Sequence, residues 1–300
     1  MHGEQVIIVG AGPAGAAAAI QCRRLGVIPR LLDRTGAAGG LAENAHCIEN
    51  YPGMPGAIGG TEFTENLRAH LARFDIAVEG TEVTGIARNG KGFSVRHGSG
   101  ELSARAVILA SGTVPRRAHI AGEEELDGVH VFYDVVSLLR RRGRPRDVVV
   151  VGGGEAACDY ALTLASIGAA VLLVVRSDRL KARGRLAHAV QQTPAIRVSY
   201  GTAVERISTS PLLTVCLRST VEEGATEHNP GALLVAVGRD SAAPRLLAPL
   251  GVTAAEGIAG TIPGLFVVGD ARIGSLGQIG MAVGDGIRAA AASAALMENL

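Results

Sequence analysis

The sequence predicts an α/β protein in which one strand–turn–helix–strand unit occurs twice. Three observations carry this. Two β-branched runs, Val6-Ile7-Ile8-Val9 and Val148-Val149-Val150-Val151, each lead into a glycine-rich turn. Each turn opens an alanine-rich helical stretch, and each helix is followed by a second strand closed by a charged residue, Asp33 or Arg176. The two copies keep register, because the first glycines (Gly10, Gly152) and the closing charges are separated by nearly the same number of residues. A continuous apolar run suits a parallel strand buried on both faces, and short connections suit a βαβ unit. A repeat this long points to domain duplication.

In chain order, Gly10-Ala11-Gly12-Pro13-Ala14-Gly15 starts a helix that reaches about Leu25, and Arg30-Leu31-Leu32 is the next strand, ending at Asp33. Thr61 to Phe74 predicts a helix with Phe63, Leu67, Leu71 and Phe74 on one face. Gly92 to Arg96 predicts an antiparallel strand ahead of the strand and small-residue turn Val107-Ile108-Leu109-Ala110-Ser111-Gly112. In the second copy, Gly152-Gly153-Gly154-Glu155-Ala156-Ala157 starts a helix reaching about Ile167, Val171 to Val175 is a strand ending at Arg176, and Leu212 to Arg218 precedes Leu233-Leu234-Val235-Ala236-Val237-Gly238. Leu265-Phe266-Val267-Val268-Gly269-Asp270 adds one more buried strand, and a long alanine-rich helix runs from about Gln278 to Met297.

Composition narrows the function classes. The 300 residues are 47% hydrophobic and 19% charged, too apolar for a disordered chain. A net charge of +1 leaves no basic footprint for nucleic acid, and 3% aromatics without Trp leave little for base stacking. No apolar run nears the roughly 18 residues of a membrane span. The N-terminus lacks a basic leader, and Gly10, Gly12 and Pro13 interrupt its apolar stretch too early for a signal peptide. The four cysteines (Cys22, Cys47, Cys158, Cys216) form no Cys-x-x-Cys, which fits a reduced cytoplasmic protein. None of the eight histidines stands at metal-ligand spacing, so no metal is expected, and no Gly-x-Ser-x-Gly turn supports serine hydrolysis.

Glycine is abundant, 41 residues in all, and its placement is chemical. After a buried strand, Gly10 permits a tight turn, Gly12 lets backbone approach a pyrophosphate, and Gly15 lets helix and strand pack closely. The helix start supplies unpaired N–H groups and the positive end of the dipole. Asp33 follows Gly15 by about 20 residues, where a carboxylate accepts from ribose hydroxyls. In the second copy Arg176, with Arg179, Lys181 and Arg183 near it, replaces that carboxylate, and a guanidinium suits a 2′-phosphate. This favours NADPH, with NADH possible because Asp178 stands in the same loop and Ser177 interrupts the basic set. Two dinucleotide sites in one chain suggest a flavoprotein reductase, FAD staying bound while a nicotinamide delivers hydride.

Gly10-Ala11-Gly12-Pro13-Ala14-Gly15, Gly39-Gly40, Glu49-Asn50-Tyr51-Pro52-Gly53, Ala110-Ser111-Gly112-Thr113, Gly152-Gly153-Gly154 and Gly269-Asp270-Ala271 together resemble the low-molecular-weight thioredoxin reductases, of the FAD-dependent pyridine nucleotide-disulfide oxidoreductase superfamily. The resemblance covers nearly the whole chain. It implies two Rossmann-like three-layer ββα dinucleotide-binding domains, the second inserted in the first: an FAD domain of residues 1–117 and 246–300, and an NAD(P)H domain of 118–245. It also implies a cytoplasmic homodimer. Carried over, Gly10, Gly12, Pro13, Ala14 and Gly15 hold the FAD pyrophosphate, and Asp33 and Arg34 face the adenosine. Gly39, Gly40, Leu41 and Asn50 lie near the flavin, and Val83, Ala110, Ser111 and Gly112 complete the cradle. Gly269 and Asp270 take the ribityl chain, and Gln278 and Ile279 put a helix N-terminus under the flavin's pyrimidine edge. Gly152, Gly154, Glu155, Ala156, Arg176, Lys181 and Gly238 form the nicotinamide dinucleotide site. The hinge between domains is expected near Thr113–Glu125 and Arg239–Leu250.

One departure bears on function. The family's redox Cys-x-x-Cys falls, within a residue or two, where this chain has Phe132 and Val135, and neither can exchange with a disulfide. Thioredoxin reductase-like ferredoxin–NADP reductases also lack the pair, but their C-terminal extension over the flavin is missing from a chain that stops at Leu300. The expected activity is electron transfer between NAD(P)H and a non-CxxC acceptor through flavin. The alternatives are a flavoprotein reduced by ferredoxin or another protein donor with a vestigial nicotinamide site, a Cys47-dependent thiol oxidase or reductase, and a non-catalytic flavin sensor. Cys47 follows Gly40 at the spacing of the flavin-proximal cysteine in larger glutathione reductase-type enzymes, and His46 beside it could lower its thiol pKa. Arg140 to Arg146 carries five arginines and could dock a small acidic redox protein, or be a solvated loop. Tyr133-Asp134 could relay protons, or Asp134 could simply cap the helix from Val135 to Arg142.

Overall fold

The computed structural model describes residues 4–209, 211–220, 224–251, 262–274 and 277–298. The elements are β1 (Glu4–Val9), α1 (Pro13–Arg24), β2 (Pro29–Asp33), α2 (Gly60–Arg73), β3 (Val78–Gly80), β4 (Val83–Asn89), β5 (Gly92–His97), β6 (Gly100–Leu109), β7 (Thr113–Pro115) and β8 (Val131–Phe132). The chain continues through α3 (Val135–Arg142), β9 (Asp147–Val151), α4 (Glu155–Ser166), β10 (Ala170–Val174), α5 (Gly184–Gln192), β11 (Ile196–Ser199), β12 (Thr202–Thr209), β13 (Leu213–Ser219), β14 (Ala225–His228) and β15 (Ala232–Val235). It closes with β16 (Arg239–Ser241), α6 (Ala243–Leu247), β17 (Leu265–Val267), α7 (Asp270–Ile273) and α8 (Ile279–Glu298). No helix among the described residues is long and apolar enough to cross a membrane.

The chain divides into two compact units, one of 1–43, 48–114 and 239–300, the other of 44–47 and 115–238. These bounds differ from the expected 117/118 and 245/246. On the C-terminal side the reason is packing: α6 buries Ala243, Leu246 and Leu247 in the core around β4, so 239–245 go with the first unit. Asn44 to Cys47, expected in the FAD domain, are held in the second unit: Asn44 Oδ1 accepts from Val136 N–H at 2.9 Å and His46 N–H donates to Asp159 Oδ2 at 2.8 Å. Strands β7 and β16, on which the chain passes between units, pair with each other.

In the first unit the parallel strands run β3-β2-β1-β6, with β17 on the far side of β6. Strand alternation splits β1 between two cores. Val6 and Ile8 face α1 and α8, and Ile7 and Val9 face the layer of β4 and β5. This is why the run has no polar position. The N-terminal half of β6 pairs antiparallel with β5, and its C-terminal half pairs parallel with β1. Helix α8 lies against α1 closely enough that a Cβ on Gly286 would fall 2.1 Å from Ala14 O.

The second unit repeats the plan. Its parallel sheet runs β11-β10-β9-β15-β8, and β12-β13-β14 form the antiparallel layer. Val148 and Val150 join the helices' core, while Val149 joins the core against the antiparallel layer. The two sets of five parallel strands differ in one connection. The position beyond β6 is filled by the late strand β17, and the position beyond β15 by the early strand β8.

Near its start the second unit buries a carboxylate. Glu123, 2% exposed, accepts from Tyr133 Oη at 2.6 Å and from the N–H groups of Ala118 and Ile120, each at 3.0 Å. Arg117 donates to both Tyr133 Oη and Asp127 Oδ2. Burial pushes the Glu123 carboxyl up, but the Tyr133 hydroxyl, the two N–H groups and the Arg117 charge outweigh it and hold the group below its ordinary value. A carboxylate lowered on folding stabilises above its unfolded pKa, and that contribution is lost as pH falls through the folded value. Glu123→Gln is expected to cost about 2 kcal/mol at pH 7 and to flatten the fall in stability below about pH 4, read by denaturant unfolding across pH. An unchanged pH profile would rule this out.

Candidate functional site

The first glycine-rich turn is built by close approach. Gly10 has φ +101°, and a Cβ there would lie 2.2 Å from Ala110 O. A Cβ on Gly15 would lie 1.8 Å from Gly10 O. Gly10 N–H donates to Leu32 O at 2.7 Å and Ala110 N–H to Val9 O at 2.8 Å, locking the turn onto neighbouring strands. The second small-residue turn closes on the first: Gly39 N–H donates to Ala11 O at 3.0 Å, and a Cβ on Gly40 would come within 3.1 Å of Gly12 Cα. From α2, Arg68 Nε donates to Ala38 O at 2.8 Å and steadies that second turn. Leu41 lies in the short 3-10 turn Gly40–Asn44.

Asp33 ends β2 as expected and reaches the same turn. Its Oδ2 accepts from Ala11 N–H at 2.9 Å, and its Oδ1 from Thr35 N–H and Oγ1 at 2.8 and 2.7 Å. Arg34, beside it, is exposed. The Val83 side chain lies in the core, so the expected contact with a ligand would come from its backbone. Ala110 packs in the core beside the turn, and Gly112 opens a left-handed bend at φ +63°. Ser111 Oγ, next to Ala110 in the chain, is buried with no hydrogen-bond partner among the described residues.

At the other end of the unit, Gly269 precedes α7 and Asp270 opens it. Burial raises the Asp270 carboxyl above its ordinary value, and the charge of Arg239 pulls it back. Asn50 Nδ2 donates to Gln278 Oε1 at 2.8 Å, bringing two expected flavin residues together at the start of α8. That helix has no acidic side chain in its first turn, so the positive end of a 20-residue helix is unopposed at Ile279. Sequence reading missed Asp285, buried on α8. It accepts from Gly269 N–H, Arg272 and Arg288 and so fixes the turn that presents Asp270. Its one sequence signal is a charge on the apolar face of an alanine-rich helix.

The second cradle repeats the construction with two differences. A Cβ on Gly152 would lie 2.3 Å from Ala236 O, so the close approach is kept, whereas one on Gly154 meets nothing within 4 Å. The floor at Gly154 is therefore open, with Glu155 and Ala156 exposed beside it. Helix α4 carries Glu155 in its first turn, while the first turn of α1 has no acid. The positive end of the helix is thus partly cancelled at the second cradle and uncancelled at the first. Arg176 is exposed at the end of its strand, and a concavity lined by Ser177, Asp178, Arg179, Leu180, Lys181 and Arg183 follows it. Lys181 and Ala182 N–H both donate to Gly153 O, tying that loop to the glycine turn. Gly238 accepts from Arg116 N–H at 3.0 Å and has φ +126°.

The segment from Phe132 to Val135 has no cysteine, and its two end residues are apolar. Phe132 and Val135 are 3% and 2% exposed and belong to the core of the second unit. Tyr133 is tied to Glu123 and Arg117, its hydroxyl pushed up by burial and by the Glu123 carboxylate, so it is no free relay. Asp134 caps α3, accepting from Ser137 N–H at 2.7 Å. Cys47 is exposed and forms no disulfide. The five arginines from Arg140 to Arg146 are all exposed, three of them in the last turn of α3. Among the described residues, no three His, Cys, Asp or Glu side chains converge as a metal site.

Two glycine cradles, each following a parallel strand, define a two-dinucleotide oxidoreductase, and the close approach at Gly10 and Gly15 fits a flavin dinucleotide. The chain belongs to the pyridine nucleotide-disulphide oxidoreductase family, which it matches over residues 4–286. It is 33% identical over 308 residues to the thioredoxin reductase of Treponema pallidum, covering 98% of this chain and 97% of that one, and 30% identical over 305 residues to the thioredoxin reductase of Bacillus subtilis, covering 98% and 95%. The crystal structure of Lactococcus lactis thioredoxin reductase superposes with a TM-score of 0.88 at 30% identity, covering 99% of this chain and all of that one. Both expected Rossmann-like folds are present, and the chain is an FAD-dependent NAD(P)H oxidoreductase of the thioredoxin reductase type.

Proposed function

We propose that this chain passes electrons from NADPH, through FAD, to an acceptor that is not the disulfide of a Cys-x-x-Cys pair within its own chain. One observation carries the reading: the sequence has no such pair, and Phe132 and Val135 are closed into a hydrophobic core where no thiolate could exchange. When bound, FAD supplies the ring that takes up a hydride from the nicotinamide and releases the electrons onward.

The chain's own groups divide the work. The N–H groups of Gly12, Ala14 and Gly15 at the start of α1 hold a pyrophosphate, with Gly10 and Pro13, which has no N–H of its own, shaping the turn. Asp33 has lone pairs left for a ribose hydroxyl after serving Ala11 and Thr35. Asp270 accepts from the ribityl chain. The paired Asn50 and Gln278 hold the polar edge of the ring, and the unopposed start of α8 favours its reduced, more negative form. At the second cradle the open floor and the weaker helix field suit a dinucleotide that comes and goes, with Arg176 and Lys181 facing a 2′-phosphate.

Anaerobic titration of the yellow holoprotein tests this. Stoichiometric bleaching by NADPH, with turnover of an artificial acceptor, is the expected result. Bleaching by reduced ferredoxin but by neither nicotinamide would overturn it in favour of a protein donor. Arg176→Ser is expected to raise KM for NADPH about tenfold, the loss of one charge-assisted contact, with KM for NADH within about twofold. Equal effects on both would remove Arg176 from the 2′-phosphate site. The exposed arginines at the end of α3 favour a small acidic redox protein as the acceptor. A cytoplasmic homodimer is the assembly consistent with this reading.

A further inference from the structure

We propose that Arg239 is a positioning residue of the flavin site, a fixed positive charge that orients the carboxylate of Asp270 toward the cofactor's ribityl chain. The inference rests on the flavin reading above and deepens it. Arg239 opens β16, and its guanidinium is held twice by the paired strand β7: Nε donates to Thr113 Oγ1 at 2.8 Å and Nη2 to Thr113 O at 3.1 Å. Two hydrogen bonds to one residue leave the planar group little freedom to turn away.

Strand alternation places Ser241 on the same face of β16 as Arg239. Ser241 Oγ donates to Ala271 O, so that face of β16 lies against the start of α7, where Asp270 stands. The carboxylate is confined from its other side as well. A Cβ on Gly277 would fall 1.8 Å from Asp270 Oδ1, so only glycine leaves room for the carboxylate there. Burial opposes ionisation of Asp270 and the Arg239 charge favours it. The Arg272–Asp285–Arg288 cluster on α7 and α8 fixes the backbone behind it through Gly269 N–H. Asp270 is thus wedged by Gly277, backed by Asp285 and aimed by Arg239. An uncharged side chain at 239 would leave a half-buried carboxylate without that favourable charge, and it would either protonate or turn toward water.

The test is a double-mutant cycle on FAD affinity, read by fluorescence as the flavin-stripped protein takes up FAD, with wild type, Arg239→Gln, Asp270→Asn and the double variant. Arg239→Gln is expected to weaken FAD about tenfold, and the double variant to bind no more than threefold worse than Asp270→Asn. The two-electron midpoint potential of bound flavin is expected to fall in Arg239→Gln, by about 30 mV if reduced flavin is disfavoured tenfold relative to oxidised. Losses that multiply independently, or an unchanged potential, overturn the proposal, because a clamp on Thr113 alone would act without Asp270 and would not alter the flavin's charge balance. Should Arg239→Gln fail to fold, Arg239→Lys enters the same cycle, keeping charge while losing the fork. A wild-type protein that takes up no FAD strikes the flavin reading itself, whereas a wild type that binds FAD beside additive variants strikes only the role of Arg239.

Discussion

Gly15→Ala is expected to yield a colourless, weakened protein. The added methyl must occupy a point 1.8 Å from Gly10 O, and that oxygen belongs to a backbone fixed by the Gly10–Leu32 hydrogen bond. Neither side can yield without moving α1 off β1 or opening the turn. Overpacking of this kind costs about 3 kcal/mol, which lowers Tm by roughly 10 °C in a unit of this size. Loss of FAD should exceed what destabilisation alone explains if, as proposed, the same shift displaces the N–H groups that hold the pyrophosphate. The comparison is Gly154→Ala, at the equivalent turn of the second unit, where a Cβ meets nothing. It should fold normally, stay yellow and raise the KM for NADPH at least tenfold, because a methyl now stands where phosphate approaches the backbone. Retention of full FAD by Gly15→Ala, measured as bound flavin per chain, would refute the close-approach account.

Asp285→Ala carries the second large effect. The carboxylate is 6% exposed and serves one N–H and two guanidinium groups. Removing it strands Arg272, whose side chain is 23% exposed, and leaves Gly269 N–H without its acceptor. Breaking a buried pair from one side costs about 3 kcal/mol. Arg288→Ala should cost under about 1 kcal/mol, since its own side chain is 74% exposed and screened by water. Chemical denaturation of the three proteins separates these outcomes. Equal losses for Asp285→Ala and Arg288→Ala would mean that the network contributes little beyond a surface ion pair. Because Gly269 leads directly into Asp270, Asp285→Ala should also release flavin at lower denaturant than unfolding requires.

The repeat of strand, glycine turn, helix and closing charge was legible because each part is dictated locally. A β-branched run with no polar residue has to be buried on two faces, and glycines at Gly10, Gly12 and Gly15 answer to a tight turn and a close crossing, both short-range geometry. The places of Asp33, Asp134 and the two helix starts followed from the same local rules, and the lack of a Cys-x-x-Cys pair is a property of the sequence itself.

Other features depended on distant residues meeting. The chain's passage back into the first unit lies at Arg239, ahead of the expected 246, because α6 finds its apolar partner on β4, a strand far away in sequence. The side chain of Val83 lies in the core, since the pleat of β4 is fixed by its register with β5. Tyr133 was a candidate relay until Glu123 and Arg117 came together around its hydroxyl. The partners of Asp285 and Arg239 were equally hidden, because a lone charge on a helix or at a strand start has no meaning until its partners arrive. The sequence by itself determined the two glycine-rich strand–turn–helix units and the lack of a Cys-x-x-Cys pair among its four cysteines. The tertiary structure decided which charges become neighbours in the first unit, because electrostatic pairing depends on distance in space and not on spacing along the chain.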